Sequence, residues 1–271
     1  MSELYIDEIF TPAKEYLLRK QDEREELIRL GRDITSYSKK AIFSLHRSFS
    51  EQLQHEQAMT DLTELKQYLQ ILGTGLIQVK SLYEANINLR GNVAGPIEEL
   101  IEFFTFGYFI TNEKLLQYDQ FISYIQILLD HNTKESHDVI LKSLLFDVPI
   151  PAKYSSKTEV KFIDIGDYLM GLLDCTGEIM RLSIQQSSQY EGTLQLETTQ
   201  EQYRYLQDFY HHLMILTGHY PGLSVYRGVF ENSTKSKGNI SFMKKLQVFH
   251  TSIRKIETTL LDILISDRET I

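Results

Sequence analysis

The sequence predicts an all-α fold, because proline is scarce, apolar residues recur at helical spacing and strand-like alternation is nearly absent. The 271 residues include five prolines, with none between Pro12 and Pro96 and none between Pro151 and Pro221. Long stretches without proline permit long helices. No hairpin turn lies between two β-rich segments. We therefore expect one all-α domain over residues 1–271, with about seven helices and a core at about 22–265.

The individual helices are predicted from apolar side chains that recur every three or four residues. The first stripe runs from Leu27 through Ile34 to Leu45. Gly95-Pro96 opens the third helix, because a proline in the first turn needs no N–H donor. The prolines at 149 and 151 predict a connecting loop, and a second loop is expected at 232–238. The predicted helices span about 22–55, 60–89, 95 onward, 113–131, 135–145, 162–186, 197–217 and 240–265.

Composition excludes several classes of protein. The hydrophobic fraction of 42% and the charged fraction of 24% are ordinary for a globular chain. A net charge of −9 argues against a broadly basic nucleic-acid binder. The single cysteine, Cys175, excludes a disulfide framework and favours a reducing compartment, so we expect a cytoplasmic protein. The sequence shows neither a secretory signal pattern nor a run of about 18 apolar residues, and no membrane association is expected.

Charge is unevenly distributed along the chain. Residues 98–138 carry eight acids against two lysines, whereas residues 227–256 carry seven Lys or Arg against one acid, Glu231. The acidic region suits metal capture and the basic region suits phosphate contact. The alternative is that both are solvated helix faces.

Two short segments each place a pair of carboxylates on one helix face. Residues three or four positions apart are neighbours on a helix, so Glu99 lies beside Glu102, and Asp174 beside Glu178. If the two helices pack together, four carboxylates converge, and a hard divalent cation makes such a cluster tolerable. These four residues are therefore candidate metal ligands and catalytic residues.

A structural alternative stands beside each pair. The helix of Asp174 and Glu178 has an acidic stripe, which also contains Gly171, and an apolar side opposite. An amphipathic helix whose polar stripe faces water has the same pattern. Gly171 favours the functional interpretation, since its missing side chain lets another group approach. The first pair is followed by Phe103 on its own face, which predicts burial, but an exposed helix start also favours acids. Both alternatives stay open.

Basic side chains offer one further candidate. Lys39 shares a face of the first helix with Arg32 and Ser36, opposite the apolar stripe, and could hold a phosphate beside a metal. A solvated lysine is the alternative. His46 and the pair His211-His212 lack the spacing of a metal site with a nearby third ligand.

These residues also carry a resemblance to a known family. Residues 32–35 and 38–47 resemble the opening helix of the translin superfamily, and Asp167–Arg181 resembles a segment of its factor X branch. The similarity spans about 22–265 and ends in a helix around Lys244-Lys245-Leu246. Asp174 favours the factor X branch, because translin itself is expected to have an apolar residue there.

The resemblance implies both a fold and an activity. It implies a translin-like fold of seven helices that assembles with translin into a hollow, roughly octameric shell. It also implies that this subunit is an endoribonuclease, which uses Mg²⁺, or Mn²⁺ in its place, to cleave single-stranded RNA in RNA silencing or tRNA processing. The family's catalytic and metal-binding acids map onto Glu99, Glu102, Asp174 and Glu178, and its helix-one lysine maps onto Lys39.

Two departures from the family pattern bear on function. The basic N-terminal run is missing, which leaves open whether the protein is also nuclear. The segment Arg227–Gly238 is longer and more irregular than the pattern. The competing hypothesis is a non-catalytic partner of translin that binds single-stranded RNA or DNA, or serves as a scaffold.

Overall fold

The structure, a computed structural model, consists of long α-helices. It describes residues 2–50, 55–155, 158–189, 193–222 and 242–269. The helices are α1 (Ser2–Ser50), α2 (His55–Ala85), α3 (Ala94–Asn112), α4 (Tyr118–Asp130), α5 (Lys134–Phe146), α6 (Ile165–Gln189), α7 (Thr193–His219) and α8 (Phe242–Glu269), with 3₁₀ helices at Ile87–Asn92 and Ala152–Tyr154. No strand occurs in these ranges, which confirms the all-α class.

Most predicted helices are present, with shifted boundaries. The described segments contain eight α-helices, where about seven were expected. The helix predicted from residue 113 begins at Tyr118, because Glu113 takes a left-handed backbone conformation (φ 54°) that ends α3. The irregular segment Arg227–Gly238, which includes the loop predicted at 232–238, lies outside the described residues.

The first helix is much longer than predicted. α1 begins at Ser2 instead of near residue 22 and contains Pro12. The prediction followed the buried stripe, which starts at Leu27, whereas apolar side chains of the preceding turns such as Phe10 and Leu17 are exposed. Without a buried face, periodicity gives no signal for these turns.

Helix α3 lies at the centre of the fold and packs against α1, α5 and α6. Its apolar side chains face inward on nearly every side, and the phenylalanines at 103, 104, 106 and 109 are buried. Burial on all sides is typical of a core helix. Polar side chains on α3 therefore lie next to other helices, which sets the electrostatic environment of its three glutamates, Glu98, Glu99 and Glu102.

The start of α6 is fixed by reciprocal capping. The Asp164 carboxylate accepts a hydrogen bond from the Asp167 N–H (2.9 Å), and the Asp167 carboxylate accepts one from the Asp164 N–H (3.0 Å). Arg90, on the first 3₁₀ helix, donates to the same buried Asp167 carboxylate. These bonds hold the first turn of α6 in place. They thereby set how α6 is rotated about its own axis and which way its acidic side chains face.

Gly171 lies where α6 packs directly against α3. A Cβ there would lie 2.6 Å from Cγ2 of Ile101 and 2.8 Å from the carbonyl oxygen of Glu98. The missing side chain therefore admits another group, as predicted, and that group is α3. The stripe is therefore only partly exposed to water: the side chains of Glu178 and Asp174 are 13% and 33% exposed, whereas Arg181 is 66% exposed.

We predict that Gly171→Ala destabilises the protein by about 1–3 kcal/mol, because the methyl group overpacks the α3–α6 contact. Gly177→Ala, on the same helix, is the matched control. A Cβ at Gly177 meets nothing within 4 Å, so this variant should gain about 0.5–1 kcal/mol from helix propensity. Urea unfolding of both variants measures the difference. A Gly171→Ala protein as stable as the control would contradict the close approach.

Candidate functional site

The predicted carboxylates line two adjoining cavities between α1, α3, α6 and α8. The first cavity, of about 620 Å³, is lined by Glu99, Glu102 and Glu178, together with Lys39 and the α1 side chains near it. The second, of about 600 Å³, is lined by Glu99, Glu102 and Asp174, together with the start of α8. We call these two cavities the acidic groove. The structure thus brings all five predicted site residues to one place, with Glu99 and Glu102 shared by both cavities.

Glu102 is the most unusual of the four acids. It is only 9% exposed, and no hydrogen-bond or ion-pair partner for its carboxylate lies within the described part of the chain. Burial, followed by the charges of Asp174, Glu99 and Glu178, raises its pKa to about 8. A buried carboxylate beside three others is stable only when protonated or beside a cation. Glu102 is therefore an unpaired acceptor in the acidic groove.

The other three acids are paired with basic side chains. Lys39 Nζ lies 3.1 Å from Glu99 Oε1. His46 Nε2 lies 2.6 Å from Glu178 Oε2, to which Arg181 also donates at 3.0 Å. The hydrogen bond to Glu99 raises the pKa of Lys39, which keeps this side chain charged. Glu99 and Glu178 are thus neutralised by side chains from α1 and α6.

A lysine on α8 neutralises the remaining acid. Lys245 Nζ donates to Asp174 (2.5 Å), to Glu98 (2.8 Å) and to the carbonyl oxygen of Met170 (3.2 Å). Burial opposes its charge, but Asp174 and Glu98 outweigh burial, and the pKa of Lys245 is raised. For both acids burial is the larger effect: it raises the pKa of Asp174, and that of Glu98 to about 7, against the opposing charge of Lys245.

Sequence reasoning missed three participants. Glu98 lies four residues before Glu102 and so on the same face of α3. This spacing could have been recognised in the sequence. His46 was considered only as a metal ligand, and its contact with Glu178 was not predicted, although it lies seven residues after Lys39 and so on the same side of α1. Lys245 had no local signal beyond its place in a basic segment, because its role depends on how α8 packs against α6.

The four carboxylates of the acidic groove are of the ligand type that suits a hard divalent cation. Carboxylate oxygens are the ligands that Mg²⁺ and Mn²⁺ prefer, and Glu102 supplies one without a competing partner. In the arrangement described, however, no three His, Cys, Asp or Glu side chains of the described residues are placed to hold a metal ion together. A cation binding at Glu102 therefore competes with Lys39, His46 and Lys245 for the other three carboxylates.

The raised pKa of Glu102 makes stability depend on pH. Between its ordinary value of 4.5 and its value of about 8 in the fold, the folded chain keeps a proton that the unfolded chain has lost. Stability therefore falls as pH rises through this window. Glu98, with a pKa of about 7, acts in the same direction.

We predict that Glu102→Gln flattens the fall in unfolding free energy between about pH 5 and pH 8, because the amide has no proton to lose in this window. Urea unfolding in chelator at both pH values measures it. Glu135→Gln is the control, since Glu135 is exposed beside Lys153 and its pKa is lowered. An unchanged pH slope in Glu102→Gln would show that Glu102 is ionised at neutral pH.

None of the helices in the described segments is long and apolar enough to cross a lipid bilayer.

Comparison with known proteins identifies relatives. The Translin family model matches residues 22–267. Translin-associated protein X of Rattus norvegicus is 30% identical over 180 residues, which are 65% of this chain and 57% of the rat protein. The match thus spans less than two thirds of that relative. Translin-associated protein X homolog of Schizosaccharomyces pombe is 25% identical over 262 residues, which are 93% of this chain and 85% of the yeast protein.

A solved structure shares the fold. The crystal structure of apo-NeC3PO superimposes with a TM-score of 0.58 and 14% identity, covering 93% of this chain and 96% of the other. At this identity the likeness concerns the fold alone. The resemblance found in the sequence is confirmed by the family model and by the names of the relatives. Because that model covers residues 22–267, the chain belongs to the Translin family.

Proposed function

We propose that this chain is a metal-dependent endoribonuclease subunit that cleaves single-stranded RNA in a complex with translin. The observation that carries the proposal is Glu102, a buried carboxylate without a basic partner in the described part of the chain, with Asp174, Glu99 and Glu178 around it. Such a group is costly in a fold unless a cation binds there. The family and the name of its relatives, Translin-associated protein X, support the choice of partner.

The four acids would hold Mg²⁺, or Mn²⁺ in its place. Such an ion would supply a Lewis acid beside the phosphodiester, which would lower the pKa of water and offset the negative charge of the phosphate. Glu102 loses its proton as the cation binds, so metal affinity rises with pH up to about 8. Lys39, 62% exposed at the edge of the groove, would exchange its contact with Glu99 for one with an RNA phosphate.

Charge balance supports a partner that holds most of the RNA. The net charge of −9 gives this chain little general attraction for a polyanion. A more basic translin subunit would supply that attraction in a hetero-oligomer, which we expect to be octameric. A cytoplasmic location is part of the same proposal, and single-stranded DNA would be bound by the same contacts.

The second candidate is a non-catalytic partner of translin that binds single-stranded nucleic acid. The pairing of Glu99, Glu178 and Asp174 with basic side chains favours it, because these contacts stabilise the fold without a metal. A metal titration separates the two candidates: the nuclease binds Mg²⁺ at the acidic groove, whereas the non-catalytic partner does not.

We predict that Glu102→Gln and Asp174→Asn each abolish Mg²⁺-dependent cleavage of a labelled single-stranded RNA, because an amide is a poor ligand for Mg²⁺. The chain is assayed alone and with translin. In Asp174→Asn, Lys245 keeps its contact with Glu98, so folding and assembly should be retained and are checked by size-exclusion chromatography.

Glu135→Gln removes an exposed carboxylate on α5 and should cleave like the unaltered protein. Chelator should stop cleavage, and added Mg²⁺ should restore it. Full activity in both groove variants, or cleavage that ignores the chelator, would reject the nuclease.

A further inference from the structure

An exposed phenylalanine lines the first cavity of the acidic groove. Phe43 is 67% exposed, whereas its neighbours Ile42 and Ser44 are buried. Its ring shares the 620 Å³ cavity with Glu102 and Glu178. At this exposure, most of the apolar surface of the ring is not covered by the described residues.

Three cationic side chains on two helices line the same cavity as this ring, and each is paired with a carboxylate: Lys39 with Glu99, Arg47 with Glu64 and Arg181 with Glu178. On α1, Lys39 and Arg47 lie four residues before and after Phe43, and four residues advance a helix by about 6 Å. On α6, Arg181 lines the same cavity and is 66% exposed. The cavity therefore combines one aromatic ring, cations at its rim and acids at its floor.

This combination matches the chemistry by which proteins bind single strands. Unpaired bases stack on aromatic rings while cations follow the phosphates, and every base has a face to stack. A duplex keeps its bases stacked on each other and cannot offer one. A protein partner that covered Phe43 would bury the ring in an apolar contact, and the assembly measurement described below distinguishes that occupant from a nucleotide.

We propose that Phe43 is a base-stacking platform, which seats an unpaired nucleotide next to the acidic groove and selects single strands over duplexes. The proposal rests on the proposed function for its substrate class. It adds a residue for binding and specificity. The sequence pattern did not indicate this residue, because Phe43 comes directly after apolar residues of the buried stripe of α1 and looks like a part of it.

The test measures affinity for a labelled single-stranded RNA in chelator, so that binding is separated from cleavage. It uses the full chain, alone and assembled with translin. Phe43→Ala should weaken binding about tenfold, as loss of one stacked base does. Phe43→Tyr should retain affinity, and Phe43→Leu should lose it, because leucine keeps the apolar area without a π-face. Affinity for a duplex of the same sequence should not change.

Phe146→Ala is the matched control, since Phe146 is 64% exposed at the end of α5 and does not line the acidic groove. A second test places an abasic nucleotide at each position of the RNA in turn. At one position the abasic substitution should weaken binding to the unaltered protein about tenfold and leave Phe43→Ala binding unchanged. A merely structural role for Phe43 would not produce that coupling.

Several outcomes would overturn the stacking role. The first three are equal RNA affinity of Phe43→Ala and the unaltered protein, equal RNA affinity of the leucine and tyrosine variants, and absence of RNA binding. The fourth is loss of assembly with translin at unchanged RNA affinity. That last result would make Phe43 an interface residue. The proposed function is tested separately. Cleavage without a Phe43 effect rejects only the platform, and a Phe43 effect on binding without cleavage rejects only the nuclease.

Discussion

Repulsion around one buried carboxylate, that of Glu102, is the constraint on which the site depends. Glu99, Asp174 and Glu178 lie around Glu102, and its burial removes the water that would solvate its charge. Basic side chains from α1, α6 and α8 are paired with the other three. Glu102 alone stays without a partner among the described residues, and its proton substitutes for the missing cation. The acidic groove therefore contains one buried carboxylate that no basic side chain of the described residues compensates, and our proposal assigns a divalent cation to it.

Helix packing creates this constraint. α3 is apolar on nearly every side, so any acid on it is enclosed by neighbouring helices. Gly171 lets α6 approach the backbone of α3, and the Asp164–Asp167 capping bonds set the rotation of α6. Because α8 then packs on α6, Lys245 reaches both Asp174 and Glu98. Elements distant in sequence thus determine the protonation of a single glutamate.

The features that could be predicted from the sequence are those that depend on residues close together in the chain. The acid pairs and Lys39 were identified because helical spacing places them, and the all-α class followed from the same periodicity. Lys245 and the His46–Glu178 contact join residues from different helices, and their meeting depends on helix rotation and crossing, which periodicity does not contain. The early start of α1 escaped notice because its first turns have no buried face.

The most direct test of this account is to locate Mn²⁺ in crystals by anomalous scattering. Mn²⁺ prefers the same oxygen ligands as Mg²⁺ and can be identified by its signal. The account predicts a peak within coordination distance of the Glu102 carboxylate, about 2 Å, with at least one of the other three acids released from its basic partner. An acidic groove without a peak, with Lys39, His46 and Lys245 still in place, would contradict it.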